Sequence, residues 1–274
     1  MRASIFMSLL TVACTDKDEV GDDTGDTGDT FEMDETDEGE CSVDVVAFDY
    51  SDQTSWVESD PDCGGSYQSP IDLDFETFTE GEAPILDFGY TTTPLHVVNN
   101  GHSVEYEVDG AVNTLNIDGV DYALVQFHFH SPSEHTVNGE PADMEMHLVH
   151  ESGDALAVVS IVIFEGAEQP WIAAASWDAL PAVAGECIED EAVTLDMDDL
   201  ISTQLIGKMP NVLHYTGSLT TPPCSEEVEW FILGQYLELS AEQIAMFSDI
   251  YSGNSRDVHD LGDRDLILDE HYGK

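Results

Sequence analysis

Basic residues are what this sequence most lacks: 6 Lys and Arg stand against 58 Asp and Glu in 274 residues, a formal net charge of -52. A field of that sign repels phosphate backbones and anionic headgroups, which argues against nucleic acid or an anionic membrane surface as an electrostatic partner. Scarce lysine beside abundant carboxylates fits work in high salt, where ions screen repulsion between surface acids. Long apolar runs are missing too, and no stretch after the first residues reaches the ~20 that span a bilayer. Cysteine is limited to 5 copies, so disulfides supplement a core rather than replace one, and 42% hydrophobic content is enough to build it. The length suits one large β-rich domain plus a tail.

The N-terminal "MRASIFMSLLTVACTDKDEV" has one Arg, an apolar run from Ala3 to Ala13, then Cys14 beside a polar segment, the layout of an export signal. A cysteine directly after a small residue resembles a bacterial lipoprotein cleavage site, with 1–13 as signal and Cys14 as the lipidated residue that tethers the chain to a membrane. An ordinary secretory signal is the second reading. Either places the mature protein outside the cytoplasm, in the periplasm or at the cell surface. With Cys14 carrying lipid, four cysteines remain for two disulfides in an oxidising compartment, and four allow three pairings. Residues 14–42 contain the Asp-Thr-Gly repeat "GDDTGDTGDT" and further acids with almost nothing to bury, which reads as a disordered tether. The repeat spacing matches neither an EF-hand loop nor the nine-residue calcium-binding β-helix repeat. The first 42 residues hold 13 acids and 2 bases, leaving 45 against 4, so the domain expected over 43–274 is acidic in its own right.

From Val43 onward, short apolar or alternating runs are separated by Asn-Gly, Asp-Gly and Ser-Gly turns: "LHVVNNGHSVEYEV", "NTLNIDGVDYALVQFHFH", "DMEMHLVH", "ALAVVSIVIF" and "EVEWFILGQYLEL". These predict strands. Helical patterns are few, at Trp171–Leu180, Met197–Leu205 and Ser240–Ser248, the last with Ser240 as cap and Glu242 close behind. The fold class expected is mainly β (α+β), a single sheet-dominated domain.

Seven of the ten histidines fall between His96 and His150. In "LVQFHFH" the strand period places Leu124, Gln126, His128 and His130 on one side and Val125, Phe127 and Phe129 on the other. In "DMEMHLVH" Asp143, Glu145 and His147 share a face opposite Met144, Met146 and Leu148. Three neutral imidazoles are what a catalytic zinc needs, with nitrogens at about 2.0 to 2.1 Å and a fourth tetrahedral position open to water. A His-x-His pair on one strand and a His on its neighbour can reach one metal.

At these residues the chain resembles the alpha-class carbonic anhydrases. The matching segments are "YQSPIDL" (67–73), "NNGHSVEYEV" (99–108), "LVQFHFHSPSEHTVNGE" (124–140), "EMHLVH" (145–150), "LAVVSIVIF" (156–164) and "LHYTGSLTTPPCSEEVEWFIL" (213–233). The resemblance implies a large, mostly antiparallel twisted sheet of about ten strands with peripheral short helices. It also implies the reaction, reversible hydration of CO2 to bicarbonate and a proton, by attack of hydroxide from a zinc-bound water whose pKa falls to about 7. By resemblance, His128, His130 and His147 hold one Zn per chain; Gln126 accepts from His128, Glu145 from His147, and a backbone carbonyl near Asn254 from His130. Thr220 donates to Glu134 and orients the nucleophile, Thr221 lies near bicarbonate, and His135 and Tyr215 brace the region. Val149, Val158, Leu219 and Trp230 match the family's CO2 pocket wall. His102 matches the proton shuttle, with Tyr50, Asn100 and Glu105 along the water path; a carboxylate at 105 would raise the shuttle's pKa. Cys63 and Cys224 match a disulfide of extracellular members, which leaves Cys41 and Cys187 as a second bridge. The C-terminal "NSRDVHDLGDRDL" departs from the family's Asn-x-Arg-Pro-x-Gln-Pro-Leu: Asp257 and Asp260 replace prolines and His259 a glutamine, which puts the local backbone in question. An inactive relative acting as a binding protein and a zinc esterase are the competing functions, and a monomer or dimer fits equally.

The charge pattern generates the first prediction: the midpoint of thermal unfolding rises between low and molar NaCl, and a midpoint indifferent to salt would remove the high-salt reading.

Overall fold

The structure, a computed structural model, describes residues 43, 45–46, 48–74, 76–205 and 211–270. The expected signal, the 14–42 tether, Cys14 and Cys41 lie outside those residues. Ten strands follow one path of hydrogen-bonded neighbours: Cys187–Asp196, Thr92–Asn99, Val104–Glu107, Val120–His130, Met144–Ser152, Ala155–Glu165, Glu226–Leu233, Val212–Ser218, Ile267–Asp269 and Thr79–Glu80. Pairing is antiparallel except where Ala155–Glu165 meets Glu226–Leu233 and Ile267–Asp269 meets Thr79–Glu80. Leu86–Gly89, Thr114–Ile117 and Leu237–Leu239 join at the flanks, and a small three-stranded sheet sits apart. The mostly antiparallel sheet expected from the resemblance is present. No helix among the described residues is long and apolar enough to cross a membrane.

Both faces of the central strands are covered, which is why "MEMHLVH" and "AVVSIVI" are buried without a break. On one face Phe127, Phe129, Met144, Met146, Leu148, Trp171, Trp177 and Phe247 build the main core. On the other Val149, Val158, Tyr215 and Trp230 form a second apolar cluster, and the polar site lies among them. Burying a Phe of this core contributes roughly 1.5–3 kcal/mol by area alone.

One register shift changes the reading of the histidine strand. Val149 pairs with Gln126 and the next residue, His150, with Leu124, so Val125 is bulged out. A bulge reverses which side each residue faces beyond it. Leu124 therefore joins Phe127 and Phe129 in the main core, and Val125 turns to the opposite face with Gln126. The strict alternation expected from the sequence holds from Gln126 to His130 and fails before it.

Helices differ in detail from their sequence patterns. The Trp171–Leu180 stretch divides into Pro170–Ala174 and a 3-10 turn at Trp177–Ala179, because Ser176 between them is left-handed at φ 54°. Met197–Asp199 runs into a π-turn at Leu200–Leu205. In Ala241–Ser248 the Ser240 hydroxyl caps the N–H of Gln243, whose side chain returns a bond to the Ser240 backbone, so Gln243 rather than Glu242 completes the capping box.

Cys63 and Cys224 form a disulfide across 161 residues of sequence, buried against Trp56. Cys187 is also disulfide-bonded, and the Cys41 expected as its partner is outside the described residues. Cross-linking so long a loop restricts the unfolded chain. Replacing Cys63 and Cys224 together by Ser is expected to cost about 2–5 kcal/mol in urea unfolding under oxidising conditions, and to make the protein indifferent to reductant at that bridge.

Candidate metal centre

The sheet register brings the three histidines together. His147 stands directly opposite His128 on the neighbouring strand, and His130 lies two residues along from His128. Their ring centroids are 4.9, 5.3 and 4.7 Å apart for the pairs 128/130, 128/147 and 130/147. One nitrogen of each ring is already committed: His128 Nδ1 donates to Gln126 Oε1 at 2.8 Å, His130 Nδ1 to the Asn254 carbonyl at 2.7 Å, and His147 Nε2 to Glu145 Oε1 at 2.8 Å. Because every partner is an acceptor, the proton sits on the committed nitrogen and the other carries a lone pair. A candidate ligand atom from each ring lies within 4.8 Å of the other two.

His130 Nε2 is buried and has no hydrogen-bond partner in the protein. A polar atom left so costs about 1–3 kcal/mol, and a cation satisfies it. Burial lowers the pKa of all three rings, His130 to about 4, which keeps them in the neutral form a metal requires. Three imidazole nitrogens, with no fourth protein donor grouped with them among the described residues, are the set of a catalytic zinc with an open position. His135, Glu145 and His147 form a second group of metal-ligand type, but their atoms are committed to one another. His135 Nδ1 donates to Glu145 Oε1 at 2.7 Å, and Ser160 Oγ donates to the same oxygen at 2.6 Å.

Around the rings the remaining polar groups interlock. Glu145 Oε2 accepts from the N–H groups of Glu134 and His135. Burial pushes the Glu145 carboxyl up, but His135 and His147 beside it, each donating a hydrogen bond, outweigh it and hold it well below the usual range. With Nδ1 of His135 donating, its Nε2 accepts from Tyr215 OH at 2.7 Å, and Ser69 Oγ meets that hydroxyl at 2.8 Å. Glu134 Oε1 accepts from the Arg256 N–H at 2.9 Å, Thr220 lies near enough to the same carboxylate to favour its charged form, and Glu134 Oε2 is buried without a hydrogen-bond partner. Burial drives Glu134 up to about 7, against the pull of His147, Arg256 and Thr220.

A cavity of about 530 Å³ opens above the rings. Val149, Val158, Leu219, Thr220, Thr221 and Trp230 line it, together with His102, Asn100, Glu105 and Gln126. Glu134, Glu145, His135, Tyr215 and Asn254 stand behind the wall. Tyr50, expected on the water path, is not on the wall: its ring packs on Phe48 and Trp56, and its hydroxyl is buried without a partner. Val125 joins the apolar wall through the bulge that sequence alternation hides.

His102 differs from expectation. Its ring lies 4.4 Å from Phe48, and its Nδ1 is buried without a partner. Burial first, then the neighbouring His130, lowers it to about 4, against one hydrogen bond with the Val46 backbone. The expected upward push from Glu105 is not what governs this ring. The reason lies in Glu105 itself: burial, then Glu107, raises it to about 7, so it carries only part of its charge near neutrality, and Asn100 Nδ2 donates to it at 3.3 Å.

The C-terminal departures leave the backbone well held. The Asp257 N–H donates to Gln53 Oε1 at 2.8 Å, a bond a proline lacks, and the His259 N–H donates to the Pro70 carbonyl. Reading the sequence missed Ser160, whose lone polarity inside "AVVSIVIF" was a signal, and Phe48, which carried none.

Three neutral imidazoles, two buried and one half-buried, on adjacent strands at the floor of a cavity are the donor set that histidine-ligated zinc enzymes use. The model of the eukaryotic-type carbonic anhydrases matches residues 51–265. A carbonic anhydrase of Klebsiella pneumoniae is 39% identical over 206 residues, covering 74% of this chain and 80% of that protein. One from Nostoc is 38% identical over 221 residues, with 77% and 81% covered. The alpha-carbonic anhydrase of Thermovibrio ammonificans, solved with the inhibitor sulfanilamide, superposes with a TM-score of 0.71 at 31% identity, covering 78% of this chain and 94% of that one. The chain belongs to the alpha, or eukaryotic-type, carbonic anhydrase family and is an enzyme of that class. That family is zinc-dependent, and the His128, His130 and His147 group can hold the ion.

Removing the charge that orients His147 tests the centre. Glu145→Gln is expected to weaken zinc binding roughly 10–100-fold in chelator competition, and unchanged affinity would show that His147 needs no such partner.

Proposed function

We propose that this enzyme hydrates CO2 reversibly to bicarbonate and a proton, with His128, His130 and His147 holding one zinc. The observation that carries this is the convergence of three neutral imidazole nitrogens on the floor of a cavity whose far wall is apolar. Zinc, when bound, lowers the pKa of a water to about 7 and supplies a hydroxide nucleophile at neutral pH.

The chain's own residues then have distinct tasks. Val125, Val149, Val158, Leu219 and Trp230 offer CO2, which has no charge, a surface that water wets poorly. Glu134 accepts the Thr220 proton, so the Thr220 oxygen presents a lone pair to the nucleophile's hydrogen and fixes its direction. Thr221 faces the product, and the polar side of the cavity, with Asn100, His102 and Glu105, takes the proton outward. Tyr50 supports this side from behind through the Phe48 and Trp56 cluster. Residues 1–13 act as an export signal, Cys14 carries the lipid of a membrane tether, 14–42 is the spacer, and the domain works outside the cytoplasm in high salt. The layout of the N-terminus and the acidic composition support that placement.

Stopped-flow CO2 hydration with metal content assayed on the same sample is the test, at low and molar NaCl. Fast turnover with about one zinc per chain, lost in His130→Ala, is the expected result. Thr220→Val is expected to lower kcat/KM roughly a hundredfold while zinc content stays full. Stoichiometric zinc without hydration at either salt would overturn the proposal and favour a binding protein.

A further inference from the structure

One row of residues crosses the sheet from its edge to the cavity. Glu189 on the edge strand pairs with His96. His96 precedes the Val97–Tyr106 pair and meets Glu107 on the next strand. Glu107 pairs with Gln126, Gln126 with Val149, Val149 with Val158, and Val158 with Trp230. The row therefore ends on the apolar wall proposed for CO2.

Its polar half is a continuous set of contacts. Glu107 lines the cavity, and its Oε2 is 2.8 Å from His96 Nδ1. His96 Nε2 is 3.3 Å from Glu189 Oε1. Side-chain exposure is 23% at Glu107, 21% at His96 and 44% at Glu189, so the far end faces solvent. One imidazole thus touches a cavity carboxylate with one nitrogen and a surface carboxylate with the other.

Each CO2 hydrated releases a proton that must leave the cavity. His102, buried against Phe48 and pushed down to about 4, seldom takes up a proton near pH 7. His96 is moved the other way: the Glu107 hydrogen bond raises it, burial opposes, and the charges of Glu107, Glu189 and Glu105 raise it further. Among the described residues, these carboxylates are the charged groups that act on it.

We propose that Glu107, His96 and Glu189 form a second proton exit from the cavity, an inference that rests on the CO2-hydration reading. A proton arriving on Glu107 passes to His96 Nδ1, while the proton on Nε2 leaves to Glu189 and then to buffer. The ring regains its starting tautomer by exchange with solvent, so the relay gains and loses one proton per turnover. His96 is a positioning and carrier residue for protons and does not touch CO2.

The experiment is stopped-flow hydration by the zinc-loaded full chain in low buffer and in added imidazole, for wild type, His96→Gln and Glu107→Gln. In low buffer kcat is expected to fall roughly tenfold in both variants. kcat/KM stays unchanged, because it reports CO2 conversion and not proton release. Added imidazole restores kcat. NMR titration of the wild-type His96 ring should give a pKa above the ordinary imidazole value of about 6.5, falling in Glu107→Gln. An unchanged kcat in low buffer would overturn the relay, as would a parallel fall of kcat and kcat/KM that imidazole does not rescue, since that is the mark of a strut. Wild-type turnover in the same runs separates failure of the relay from failure of the hydration reading.

Discussion

The site hangs on one buried carboxylate. Glu145 has no exposed surface, and an unpaired ion there would cost several kcal/mol. Five donors prevent that: His135 Nδ1, His147 Nε2, Ser160 Oγ and the N–H groups of Glu134 and His135. Satisfying the ion and building the centre are the same act. The bond to Nε2 leaves the Nδ1 lone pair of His147 for a metal. The bonds to the Glu134 and His135 N–H groups fix the loop whose side chains reach Thr220 and Tyr215. A change at Glu145 therefore disturbs ligand, loop and threonine together, and effects of substitutions among them are not additive.

The sheet supplies what hydrogen bonds alone do not, a fixed spacing between rows. Glu105, His128, His147 and Ser160 occupy successive strands in one row. The neighbouring row runs through Glu107, Gln126, Val149 and Val158 to Trp230. Polar ligands and apolar wall are thus adjacent rungs of one ladder, about 7 Å apart along a strand. The opposite face, with Phe127, Phe129, Met146 and Leu148, is packed tightly enough to keep those rungs from shifting.

Much of this could be read from residue order. His-x-His on an alternating run, a third His on a second run, and the segments shared with the carbonic anhydrases located the rings, their acceptors and the threonine. These depend on local period and on neighbouring strands, which sequence encodes directly. What escaped depends on register and on distant packing. The bulge at Val125 is set by a partner strand, so alternation assigned Leu124 and Val125 to the wrong faces. The depressed pKa of His102 comes first from burial, and the ring packed against it, Phe48, is 54 positions earlier. The capping box chose Gln243 over Glu242 because only the third helical position can return a bond to Ser240.

The scarcity of basic residues, which first marked the sequence, has a counterpart at the site. Among the described residues the only Lys or Arg side chains are Arg256 and Arg264. Arg256 is buried; its guanidinium donates to the carbonyls of Ser69 and Cys63 and lies over Trp56, while its N–H holds Glu134. Arg264 donates to the carbonyls of Leu261, Asp260 and Thr216 and lies over Tyr215. A planar fork with five donors joins two or three separate backbone carbonyls and an aromatic face at once, which lysine, with a single ammonium, does not match. Surface charge can be exchanged for acid residue by residue, because water and salt compensate each change. These two arginines cannot, because each gathers backbone oxygens from separate segments in one fixed donor geometry. The acidic surface and the retained arginines thus reflect the same physics at two levels of burial.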